Sequence, residues 1–254
     1  MRLDKIEHVS LGTNPTWGAW LDDSTFQTYP NACPEKMIQF FTLKKFTLKL
    51  GKNSRLNFLD KSYELNCYLG ENAVLLHQGL PKSVGNFDLQ QNAQLIHRNI
   101  YESGMSCSSI TVGLSQPNAK VDWRDGVSLE QNESFDLNIK VDHVAPKTHS
   151  NCLLKSIVKD SGRLKFFCDI FVQQQATDCT AHQRNLNHIL SPYGQITAQP
   201  NLHIFNRNIE ASHGTATQPI PKDVLFYLQS RGLTGLEAEQ TYFESFFNEI
   251  YANK

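Results

Sequence analysis

Asparagine recurs in this chain in a fixed setting, and that recurrence limits the fold more than any other feature. Asn53-Ser54-Arg55-Leu56, Asn72-Ala73-Val74-Leu75, Asn92-Ala93-Gln94-Leu95 and Asn118-Ala119-Lys120-Val121 share one pattern. Each places Asn, then a small residue, then one free position, then an aliphatic. The asparagines stand 19, 20 and 26 residues apart. Asn tolerates left-handed backbone and the small neighbour avoids a clash, so each segment reads as a tight turn. Alternating runs flank the turns, as in Phe46-Thr47-Leu48-Lys49-Leu50 and Leu56-Asn57-Phe58-Leu59, and alternation marks half-buried strands. Weaker echoes appear at Ser161-Gly162-Arg163-Leu164 and Tyr193-Gly194-Gln195-Ile196.

A strand–turn–strand unit repeating about every 20 residues suits a β-solenoid, whose coils stack on one long core. The rival is a β-sandwich with hairpin turns, whose strands are spaced more closely. Strand texture continues through Phe135–Val141, Leu164–Val172 and Leu202–Phe205. The expected fold is therefore mainly β, a parallel β-helix with a small C-terminal α-helical domain. Its expected divisions are an N-terminal cap segment at 1–40, a core at 41–218 and a helical region at 219–254. Within the cap, Thr16-Trp17-Gly18-Ala19-Trp20 is a candidate plug for the open end of the stack.

After Pro219 and Pro221 the period changes. Lys222 to Ser230 reads as a short helix closed by Gly232. Thr234 and Glu237 have capping-box spacing and open a second helix. Phe243, Phe246, Phe247 and Ile250 then form one aromatic stripe at i, i+3, i+4 and i+7. That stripe either packs on the end of the solenoid or forms a groove for a partner, and self-packing is the plainer expectation.

Several functions are disfavoured. Lys plus Arg number 24 and Asp plus Glu 25, so no basic field attracts nucleic acid or an anionic membrane. No apolar run reaches the length of a membrane span. The start has charges at Asp4 and Glu7 and no apolar stretch, so no secretory signal is expected. Cytoplasm, or an organelle matrix in a eukaryote, is the expected compartment. Six cysteines, Cys33, Cys67, Cys107, Cys152, Cys168 and Cys179, form no CxxC pair, and reduced, mostly buried thiols are expected. There is no GxGxxG, P-loop, HExxH or GxSxG. Asp122, Asp125, Asp142 and His143 could build a carboxylate cluster for a carbohydrate-active β-helix enzyme, although cross-strand polar pairs explain them more simply. The polar stretch from His182 to His188 fits asparagine rows in a solenoid corner. His213, at the junction of the β region and the tail, is on chemistry alone more often a structural histidine than a ligand.

The same junction carries a resemblance. Ile209-Glu210-Ala211-Ser212-His213-Gly214-Thr215-Ala216, followed by Leu225 to Leu233, resembles the C-terminal signature of the SufB/SufD family. Val141-Asp142-His143-Val144-Ala145-Pro146-Lys147-Thr148-His149-Ser150 is similar to a second block of that family. Asn185 to Ser191 and Gln199 to Ile204 form a third. The chain is identified as a SufD-like member: Gly214 stands where SufB proteins have Glu, and Asn185 where they have a scaffold Cys. The resemblance implies a right-handed parallel β-helix and a non-enzymatic scaffold for iron–sulfur cluster assembly. Implied partners are a SufB-like subunit and a SufC-like ABC ATPase, with a homodimer open to the isolated chain. It implies His213 as a candidate ligand for iron or a nascent cluster, held transiently, with no tightly bound cofactor. It also implies Leu225, Phe226, Tyr227, Leu228, Arg231 and Gly232 as the ATPase-facing residues. Two departures stand out: Ala211 replaces the Cys that usual SufD proteins carry, and only about 40 residues precede the first clear coil.

Overall fold

The computed structural model describes residues 6–10, 13–40, 44–79, 82–102 and 107–252. The side chain of Cys107 and the first five residues, which bear on the thiol and leader expectations, lie outside that set.

The early strands are β1 (Ile6–Val9), β2 (Gly18–Trp20), β3 (Thr25–Thr28), β4 (Met37–Phe40), β5 (Lys45–Leu50), β6 (Arg55–Leu59), β7 (Glu64–Leu69), β8 (Val74–Gln78) and β9 (Val84–Leu89). The later ones are β10 (Gln94–Glu102), β11 (Cys107–Leu114), β12 (Lys120–Leu129), β13 (Ser134–His143), β14 (His149–Val158), β15 (Arg163–Val172), β16 (Cys179–Ile189), β17 (Gln195–Ile204) and β18 (Ile209–Gln218). A front sheet runs β1-β4-β6-β8-β10-β12-β14-β16-β18. A back sheet runs β17-β15-β13-β11-β9-β7-β5-β3-β2. Every pairing is parallel except β2 with β3, which is antiparallel. The chain alternates between the sheets, so each coil contributes one strand to each and the fold is a parallel β-solenoid.

The asparagine turns form one corner of this solenoid. Asn31, Asn53, Asn72, Asn92 and Asn118 all have φ between 57° and 62°. This left-handed region is costly for most L-residues and tolerable for Asn. Each side chain also reaches the next coil: Nδ2 of Asn53, Asn72, Asn92 and Asn118 donates to Oδ1 of the preceding member at 2.8–3.0 Å. The ladder therefore begins at Asn31, one coil earlier than the repeat read from the sequence. Lys147 and Asp178 hold the same corner at φ 59° and 56° after the asparagines end. Their backbone N–H groups donate up the stack to Thr177 and Asn208 carbonyls, as Asn53 does to Glu71.

The 20-residue period does not persist. Strands of five or six residues in the early coils become strands of ten or eleven after β11. The echoes at Ser161–Leu164 and Tyr193–Ile196 lie on another corner, entering back-sheet strands rather than front-sheet ones. The segment before residue 41 supplies β1 and β4 to the front sheet and β2 and β3 to the back. Trp17 and Trp20 pack on Phe26 with ring centroids 5.3 and 5.4 Å apart. Phe26, Phe40, Phe46 and Phe58 are each at most 4% exposed.

The tail folds as two helices, α1 (Lys222–Ser230) and α2 (Gly235–Tyr251). Thr234 and Glu237 complete the capping box in both directions. The aromatic stripe packs, but not over the solenoid end. Phe247 and Ile250 are buried with Leu153 and Ile157, and Ile100, Leu190, Phe243 and Phe246 complete the patch. The reason is on β14, where Leu153 and Ile157 face outward and make an apolar strip on the outer front sheet. Charge locks the helix there. Arg124 donates to the carbonyls of Glu249 and Ala252, and Lys155 donates to the carbonyl of Phe246. Lys155 and Arg184 both pair with the Glu249 carboxylate. Burial opposes ionisation of Glu249, but Lys155 and then Arg184 outweigh it and hold the carboxyl below its ordinary range.

Candidate functional site

His213 lies on β18, the last strand of the front sheet, and is exposed. Parallel pairing sets it beside Gln183 of β16. Its Nδ1 is 3.2 Å from the Pro200 carbonyl on β17. A carbonyl only accepts, so Nδ1 carries a proton, and in the neutral ring Nε2 is the nitrogen that bears the lone pair. A histidine anchored this way presents Nε2 as a ligand nitrogen of fixed tautomer.

The strand beside it turns an unusual set inward. Gln183, Asn185 and Asn187 alternate along β16 and are at most 3% exposed. The corner expected for this polar stretch is instead the middle of a strand, because Cys179–Ile189 pairs continuously with both β14 and β18. Asn187 is satisfied, accepting from Ser156 at 2.7 Å and donating to Thr217 at 3.2 Å. Among the described residues, both polar atoms of the Gln183 side chain and Oδ1 of Asn185 have no hydrogen-bond partner. Each such atom costs about 1–3 kcal/mol. Sequence reasoning missed this polar interior; its signal was the polar residue at every second position. Ala211, at the place of the usual Cys, is half-buried against the core.

On the outer side, a cavity of about 370 Å³ lies between β18 and the end of α2. Arg124, His182, Arg184, Ser212, Gly214 and Glu249 are among its lining residues. Nothing lies within 4 Å of a Cβ built on Gly214, so that part of the strand is open. Among the described residues no three His, Cys, Asp or Glu side chains converge on a metal position.

The residues expected to face an ATPase fall on α1 and its end. None of α1 is buried. Phe226 is 73% exposed and Tyr227 56% exposed, while Leu225 and Leu228 are half-buried. The Arg231 guanidinium lies over the Tyr227 ring at 5.2 Å. Gly232 takes φ +98° to end the helix.

The carboxylates of the alternative enzyme reading are not brought together. Asp125 is buried against His97 and Trp123. Asp122 sits on the outer front sheet with Arg98 and Arg124. Asp142 is on the back sheet, where it accepts from Gln173 at 2.8 Å. His143 is buried between Thr148 and Ser150, 2.8 Å from each hydroxyl. Cys67, Cys152, Cys168 and Cys179 are buried free thiols, and Cys33 is an exposed one.

The model of the SUF system FeS cluster assembly SufBD core domain matches residues 42–246. The chain belongs to the SufBD family. It is 26% identical to the iron–sulfur cluster assembly protein SufD of Escherichia coli over 213 residues, covering 83% of this chain and 47% of that one. Against a SufBD family protein of Synechocystis it is 29% identical over 196 residues, covering 66% and 43%. A SufBD family protein of Staphylococcus saprophyticus is 30% identical over 105 residues, covering 41% and 23%. The chain thus spans about half the length of the first two of these curated SufBD relatives. Among the described residues no helix is long and apolar enough to cross a membrane.

Proposed function

We propose that this SufBD chain is a SufD-like, non-catalytic scaffold subunit of an iron–sulfur cluster assembly complex. It pairs with a SufB-like subunit and docks an ABC-type ATPase of the SufC kind. The observation that carries this reading is the uncovered end of the solenoid. Positions 212 to 218 of β18 are all exposed, and among the described residues no strand follows it in the front sheet. An exposed strand edge is a template for pairing with another chain. The same end presents Nε2 of His213, so iron or a nascent cluster would be held there as cargo, with further ligands from the partner. The exposed face of α1 supplies the ATPase contact through Phe226 and Tyr227. The proposed compartment is the cytoplasm or an organelle matrix.

Affinity capture of the full chain from its native cells tests the reading. The expected result is recovery of a SufB-like protein and an ABC-type ATPase. Deleting residues 222–254 should release the ATPase and keep the SufB-like subunit. Retention of both partners by the truncated chain refutes α1 as the dock, and a full chain that captures neither refutes the assignment. The same exposed edge also favours self-pairing in isolation, which the solution mass of the purified chain resolves.

A further inference from the structure

Away from His213, the closed interior of the early coils holds four ionisable groups in a row. Asp60 follows β6, His77 is on β8, His97 on β10 and Asp125 on β12, four neighbouring strands of the front sheet. Their side chains are 0%, 0%, 0% and 1% exposed. The rings continue the inward column of the core: Phe58 to His77 is 5.7 Å, His77 to His97 5.0 Å, and His97 stacks on Trp123 at 3.9 Å.

The hydrogen positions follow from the distances. Nδ1 of His77 and Nδ1 of His97 are 2.9 Å apart. Two bare nitrogens, or two N–H groups, would repel there, so one proton lies between them. Nε2 of His97 is 2.8 Å from Oδ1 of Asp125, while Oδ2 of Asp125 accepts from Trp123 Nε1 at 2.6 Å. Asp125 is an acceptor on both oxygens, which places a second proton on His97 Nε2. At the other end Oδ1 of Asp60 accepts from the Ser62 N–H and hydroxyl at 2.8 and 2.6 Å. Oδ2 of Asp60 faces Nε2 of His77 at 3.5 Å, and neither atom has another hydrogen-bond partner. With two protons in the row, a carboxylate lone pair would face an imidazole lone pair in a space closed to solvent. A third proton, on either atom, turns that repulsion into an attraction.

We propose that Asp60, His77, His97 and Asp125 form a buried proton-binding site that holds three protons at neutral pH, the third shared by Asp60 and His77. The native chain then carries one proton that the unfolded chain, with neutral histidines and ionised carboxylates, has released. The surrounding groups are few. Cys67 of the back sheet is pushed up by burial and then by Asp60, and Tyr101 by burial and then by Asp125. Burial, opposed by Asp125, holds His97 below its ordinary range, and Arg98 on β10 adds to that from the outer face, where it pairs with Asp122.

The test compares the full chain with Asp60→Asn. The asparagine amide can donate to His77 Nε2 and needs no extra proton. Between about pH 7.5 and 8.5, above the histidine range of an unfolded chain, the wild-type unfolding constant should rise up to tenfold per pH unit relative to Asp60→Asn. Parallel curves over that window overturn the proposal. A second readout needs no variant: nitrogen NMR of histidine-labelled wild type at neutral pH, with infrared detection of protonated carboxyl groups. The site predicts a far-downfield proton shared by the two Nδ1 atoms, plus either one protonated buried carboxyl or one imidazolium. Two neutral rings with every buried carboxyl ionised would refute it.

Discussion

The two ends of this solenoid are built from the same coil and finished in opposite ways. At the first end, Trp17 and Trp20 close over Phe26, and the next rings, Phe40 and Phe46, lie 4.7 Å apart by centroid. The antiparallel strand β2 terminates the back sheet there. At the last end none of the described residues plays that part. Ile196, Leu202 and Ile209 are only partly buried on the core, and Tyr193 and Phe205 are 75% and 59% exposed. Helix α2, which could have sealed this end, lies on the outer front sheet instead. A stack of coils needs both ends closed, by its own chain or by another. The difference separates an end that stabilises the monomer from one that the described residues leave uncovered.

Stability measurements can break that contrast. Phe26→Ala should lower unfolding free energy by about 3–5 kcal/mol in urea titrations, whereas Phe205→Ala should change it by less than about 0.5 kcal/mol. Equal losses would mean that the last coil is as self-sufficient as the first. Between the ends, His143 gives a sharper test through pH. Burial, and then the charge of His149, lower its pKa to about 4, below the ordinary 6.5. A lowered histidine contributes stability above the unfolded value, and that contribution is lost as pH falls towards the folded one. The expected loss is on the order of 3 kcal/mol between about pH 6.5 and 4, measured by denaturation at several pH values. His143→Gln should flatten that dependence, and an unchanged slope would remove His143 as its source.

The corner ladder offers a smaller effect. Lys147 sits in left-handed backbone where the early coils use asparagine. Lys147→Asn should raise stability by about 1 kcal/mol if its amide joins Asn118 across the coils. No gain would show that the later coils hold their corner through backbone bonds alone. Smallest of all, His213→Ala should leave monomer stability within about 0.5 kcal/mol and lower cluster maturation in cells. A large loss of stability would return His213 to a structural role.

Much of the architecture was written locally. Asn53, Asn72, Asn92 and Asn118 announce their turns because left-handed backbone selects few residue types, and coil stacking repeats that demand at each pass. Lys222–Ser230 and the Thr234–Glu237 box were equally legible, since helix ends are settled within one turn. The site was less so. His213 and the α1 residues came from motif resemblance, and the inward Gln183 and Asn185 were read as a corner. Period alone could not tell a corner from a long strand once coils widened.

By itself the sequence determined the turns, the alternation along strands and the two helices, because each depends on neighbours a few residues away. Only the tertiary structure decided where α2 lands, since Leu153, Ile157 and Lys155 become a binding face only when β14 fixes their outward direction. It alone brought Nδ1 of His77 to Nδ1 of His97 from consecutive coils. Such contacts join residues about 20 or more positions apart, and their distances depend on how every coil between the sheets is packed.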